Sequence, residues 1–145
     1  MKKTFTLFAL LTLLLASQPI LAQEPGNNLG KSFATMKSDW PDMRYVEKSE
    51  GIYDMYVSID EGAYYMFFFQ NNVLKKEALL LDSQDGFAKE YHDAVRNAFM
   101  KNKNYRKVDQ DDGITIFYYS YFKISLLYEV LSDGTQRFIM EYNYL

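Results

Sequence analysis

The sequence predicts an α+β fold: a tandem duplicated α-β4 unit whose antiparallel sheet of about eight strands carries two helices on one face. Three observations predict it. Helical spacing occurs twice, and each time four strand-like runs punctuated by turn residues follow. A shift of 62 residues aligns 42–80 with 104–142 without a gap, and six of the 39 pairs are identical. The chain also holds 13 Tyr, 11 Phe and 1 Trp in 145 residues, and aromatic rings suit pleated strands.

The first 22 residues read as a signal peptide. Lys2 and Lys3 form a positive start, Phe5 to Ala16 is apolar apart from Thr6 and Thr12, and Ile20-Leu21-Ala22 ends on a small residue. That apolar stretch is shorter than the roughly 20 residues a membrane-spanning helix needs. No other run in the chain approaches that length, so no membrane span is expected after signal cleavage. With no cysteine to acylate, a lipoprotein is not expected either, and a periplasmic or extracellular location is. Residues 23–31 read as a flexible leader, and 32–145 as one α+β domain made of repeats 32–81 and 82–145.

Ser32 is placed to cap a short helix in which Phe33, Met36, Lys37 and Trp40 follow helical spacing, and Pro41 stops it. Strands are expected at 44–46, 52–59, 63–69 and 73–81. Asp82 or Ser83 is then expected to cap a long helix to about Lys103, with Phe87, Tyr91, Ala94, Val95, Ala98 and Phe99 as its apolar stripe. Further strands are expected near 105–109, 114–121, 123–131 and 135–143. Asp111-Asp112-Gly113 and Ser132-Asp133-Gly134 supply the turns.

Alternation along the strands sorts the two faces. Ile124, Leu126, Tyr128 and Val130 form an apolar side expected beneath the helices. Carried through the 62-residue shift, that side includes Tyr64, Met66 and Phe68, with Tyr53, Met55, Val57, Phe117 and Tyr119 joining them. The open face is then expected to carry Tyr56, Tyr65, Phe67, Phe69 and Tyr118 among Asp54, Lys75, Glu77, Glu129, Arg137 and Glu141. A one-residue slip would exchange the faces.

The layout resembles the β-lactamase inhibitor protein fold and the related outer-membrane assembly lipoprotein repeat. Leu29-Gly30-Lys31-Ser32-Phe33 resembles their glycine-plus-polar helix entry, and Leu29 to Tyr45 looks like small exported proteins of Bacteroidota-type bacteria. The resemblance implies the architecture alone. Those relatives carry an acylated cysteine or disulfides, and this chain has neither.

Chemistry-bearing residues are few. Absent cysteine removes thiol catalysis and a disulfide framework. His92, the one histidine, lies at the edge of the long helix's stripe and reads as a boundary residue without a nucleophile. Asp82, Asp85 and Gly86, like Asp109, Asp111 and Gly113, lack calcium-loop spacing and read as turns. No metal site and no cofactor is expected. Without Lys2 and Lys3 the chain holds 14 basic and 19 acidic residues, a balance that disfavours nucleic acid.

The expectation is therefore a non-catalytic binding or inhibitor-like module of the cell envelope. Its candidate ligand-binding residues are Tyr56, Tyr65, Phe67, Phe69 and Tyr118, for a protein or glycan, or for a second copy in a homodimer. The alternatives are a hydrolase using Glu77, Glu129 and Glu141 on the open face, and a structural envelope protein.

Overall fold

A computed structural model describes residues 28–111 and 113–145. The expected signal peptide, and the leader up to residue 27, lie outside the described residues. The chain runs α1 (Phe33–Asp39), β1 (Arg44–Ser49), β2 (Tyr53–Asp60), β3 (Ala63–Gln70), β4 (Val73–Ser83), α2 (Phe87–Lys101), β5 (Lys107–Asp111), β6 (Ile114–Tyr118), β7 (Phe122–Val130) and β8 (Gln136–Tyr144). All eight strands join one antiparallel sheet in the order β1-β2-β3-β4-β8-β7-β6-β5. Each helix opens an α-β4 unit, and the last strands of the two units, β4 and β8, pair at the centre.

Local chemistry explains the element boundaries. The Ser32 hydroxyl accepts from the Thr35 backbone N–H at 3.1 Å, capping α1 as its position requires. The second helix starts later than expected because β4 continues through Ser83. Its first turn is satisfied from upstream: the Ser83 hydroxyl accepts from Ala88 N–H at 2.9 Å, and Asp85 Oδ1 from Phe87 N–H at 3.2 Å. Its buried stripe is Ala88, Tyr91, Val95 and Phe99, whereas Ala98 is exposed. Residues 28–31, the end of the expected flexible leader, are held against the start of β4. Gly30 N–H donates to Leu74 O at 2.8 Å, and Leu74 N–H to Lys31 O at 2.9 Å.

Both helices cover the same side of the sheet. There α2 packs on Leu79, Leu81, Phe117, Phe122, Ile124, Leu126 and Phe138. Under α1, Met36 and Met43 close over Phe67, Phe69 and Leu74, and Tyr65 touches both clusters. Burial of these apolar side chains supplies most of the driving force, at roughly 25 cal/mol per Å² of apolar surface.

In the second unit the face assignment stands for Phe117, Ile124 and Leu126, which lie under α2, while Val130, expected there too, is exposed. In the first unit it is reversed. Tyr56, Tyr65, Phe67 and Phe69 lie on the helix side, while Met55, Val57, Tyr64, Met66 and Phe68 lie on the open side. The reason is register. Helix-facing positions recur at an odd separation, as with Tyr56 and Phe117, 61 residues apart, so an even shift of 62 exchanges the faces. The two units also turn differently. Only Glu61 and Gly62 separate the paired ends of β2 and β3, while residues 119–122 separate the last pair of β6 and β7, Tyr118 and Lys123.

Candidate functional site

Five residues were expected to share an exposed strip, and the structure divides them. Phe67 and Phe69 are each 2 % exposed beneath α1. Tyr56 is half-buried among Phe33, Tyr45 and Phe69, with ring centroids 4.9, 5.5 and 5.6 Å away. Tyr65 packs against Trp40 at 4.8 Å. Tyr118 alone is on the open face, in a cross-strand line with Lys123, Asn143, Lys76, Phe68 and Met55. Phe68, expected beneath the helices, is covered on the open side by Lys76, whose ammonium lies 4.7 Å from its ring centre.

The open face nevertheless has an apolar feature, made by other residues. Ile59, Tyr64, Leu80, Ile139, Leu127 and Ile114 are successive cross-strand partners on β2, β3, β4, β8, β7 and β6. They form one unbroken row across six strands, about 24 Å wide at the usual strand spacing. Its ends are open to water: Ile59 is 49 %, Tyr64 40 % and Ile114 39 % exposed. The next row adds Val57, Met66 and Ala78 before it turns polar at Glu141 and Ser125.

Charge rims the row on both sides. On one side, Arg137 donates from Nε and Nη2 to the two Asp82 carboxylate oxygens at 2.8 and 2.9 Å, with Glu129 beside it on β7. These bonds hold the Asp82 carboxyl below its ordinary range. On the other, Lys76 pairs with Glu141 at 3.2 Å.

The three carboxylates considered for hydrolysis do not share a face. Glu77 is on the helix side, across the sheet from Phe67 and Tyr142. Glu129 and Glu141 are on the open side, separated by four residues of strand rise, about 14 Å. Paired glycosidase carboxylates stand ~5–10 Å apart. His92 Nδ1 lies 3.0 Å from Asp93 Oδ1, and its ring packs against Tyr128 and Phe138. Among the described residues, no three His, Asp or Glu side chains are gathered as a metal site, and no helix is long and apolar enough to cross a membrane.

The helix side holds a cleft of about 170 Å³ between α1 and the middle of the sheet. Trp40, Tyr65, Phe67, Glu77, Met140 and Tyr142 line it. Glu77 Oε2 accepts from Asn28 Nδ2 at 3.1 Å, and burial pushes its carboxyl above the ordinary carboxylate range. Burial likewise raises the Tyr65 and Tyr142 hydroxyls. The sequence reading grouped Tyr65, Phe67 and Glu77 on one face, the open one, but joined neither Trp40 nor Tyr142 to them. Trp40 read as the last residue of a short helix, and Tyr142 as part of the last strand.

No family model and no curated protein matches this chain. Among solved structures it is similar to a cysteine-rich secretory protein from Staphylococcus aureus, with a TM-score of 0.50 and 12 % identity over 83 % of this chain. The match covers 46 % of that protein, so this chain spans about half its length. At this identity the likeness is one of fold.

Proposed function

We propose that this chain is an exported, non-catalytic binding module that docks a partner protein through the open face of its sheet, in the periplasm or outside the cell. The observation that carries the reading is the unbroken row from Ile59 to Ile114. A contiguous exposed apolar feature with a charged rim is the usual mark of an interface. A standard contact covers about 800 Å² on each partner, and the row would form its apolar centre within the polar rim. A protein fits better than a glycan because the centre of the row is aliphatic: Leu80, Ile139 and Leu127 offer no ring for a sugar to stack on. The separated carboxylates speak against the hydrolase reading.

The test is a photo-activated benzophenone side chain in place of Leu127, compared with one in place of Met100 on the exposed side of α2, in cells exporting the protein. A discrete adduct from position 127 that Ile139→Asp abolishes supports the reading. Equal adducts from both positions, or none from position 127, would overturn it.

A further inference from the structure

The cleft on the helix side is built from residue types that seldom meet. On its floor, Phe67, Glu77 and Tyr142 are direct cross-strand neighbours on β3, β4 and β8, so the carboxylate sits between two aromatic side chains. The adjoining row is Tyr65, Leu79 and Met140. Trp40 forms a wall, its ring 4.8 Å from Tyr65 and 5.2 Å from Phe67 at interplanar angles of 42° and 54°.

The Glu77 carboxyl meets a neutral partner in the fold. Among the described residues it forms no ion pair, and its side-chain partner is the neutral amide of Asn28. Lys31 acts on it only through space, because its ammonium bonds Asn28 Oδ1 at 2.7 Å and Asp39 at 3.3 Å. An uncompensated buried carboxyl costs stability. Retaining one in a cleft lined by Trp40, Tyr65, Phe67 and Tyr142 has a chemical use: an organic cation there gains both ring-quadrupole attraction and a counter-charge.

We propose that the Trp40–Tyr65–Phe67–Tyr142 cleft binds the head of an alkylated ammonium ion, with Glu77 as its counter-charge. The cavity volume is compatible: 170 Å³ is close to the roughly 150 Å³ of an apolar cavity that takes up benzene, whose six carbons compare with the five non-hydrogen atoms of a tetramethylammonium head. A hydrated metal ion does not suit walls that are mostly apolar rings, and an anion is excluded by Glu77. The site faces away from the open sheet surface, so it stands independently of the docking reading.

Trp40 is the one tryptophan in the chain, so its fluorescence reports the site directly. The experiment titrates the purified protein with choline and, separately, with 3,3-dimethylbutan-1-ol, in which carbon replaces the charged nitrogen at the same shape. Saturable quenching by choline, with the neutral alcohol at least about tenfold weaker, is expected. Glu77→Gln is expected to weaken choline by about tenfold while the far-ultraviolet dichroism is unchanged. Equal response to the two compounds, no saturation by choline, or undiminished choline binding by a folded Glu77→Gln variant would overturn the proposal.

Discussion

Trp40 lies over Tyr65 with ring centroids 4.8 Å apart, and that contact fixes which side of β3 the first helix covers. Met36 and Met43 extend the cover over Phe67, Phe69 and Leu74. Every outward position of the neighbouring strands follows from that choice, since side chains alternate strictly across a strand.

The face assignment makes a direct stability prediction. Phe69→Ala removes a ring that is 2 % exposed beneath α1 and is expected to cost about 3–5 kcal/mol. Tyr118→Ala, on the open face, is expected to cost about 1 kcal/mol, within the common range for single substitutions. Urea unfolding of the two variants checks the order.

Much of the architecture was legible in the sequence. Ser32, Pro41 and the Asp-Gly and Asn-Asn turns punctuate it, and Ile124-x-Leu126 alternates cleanly. What could not be read was the inward side of β3. Ala63-Tyr-Tyr-Met-Phe-Phe-Phe is apolar at both parities, so alternation is silent there, and only tertiary contact with α1 decides. The row from Ile59 to Ile114 was hidden for the same reason. It exists only once strand order and register bring six separate strands together.

Glu77→Gln is expected to stabilise the folded state at neutral pH. Burial raises the Glu77 carboxyl, so the native state holds its proton to higher pH than the unfolded chain does. This group's contribution is therefore most favourable below the ordinary carboxylate pKa and declines as pH rises through the raised native value. The amide keeps the Asn28 bond and removes the buried charge. A gain of about 1 kcal/mol at pH 7, shrinking toward pH 4, is expected from thermal melts across that range.

The Asp82–Arg137 pair has the opposite sign. Its bonds depress the Asp82 carboxyl, so its stabilisation is present above the ordinary carboxylate pKa and is lost as pH falls through the depressed native value. The pair is partly exposed and screened by solvent, so Asp82→Asn is expected to cost only about 0.5 kcal/mol at neutral pH. Chemical denaturation at low and high salt measures it, and the cost should shrink with salt.

Gly30 occupies left-handed backbone at φ +87°, and an added Cβ would meet the Tyr144 hydroxyl at 2.7 Å. Gly51 also has positive φ, at +72°, but nothing lies within 4 Å of its would-be Cβ. Gly51→Ala is expected to cost about 1 kcal/mol from the backbone alone, and Gly30→Ala more. Adding Tyr144→Phe removes the clashing hydroxyl and should bring the Gly30→Ala cost down to that of Gly51→Ala. Melting temperatures of the variants and the double variant decide it.

The chain has no cysteine, so a single introduced thiol can report on the open face without interference. The decisive measurement compares maleimide labelling rates of Ile139→Cys and Met100→Cys variants in purified protein and in intact exporting cells. If the row from Ile59 to Ile114 is a docking surface, Ile139→Cys is labelled readily in the purified protein and is protected in cells, while Met100→Cys is labelled equally in both. Equal labelling of Ile139→Cys in the two settings would contradict the account.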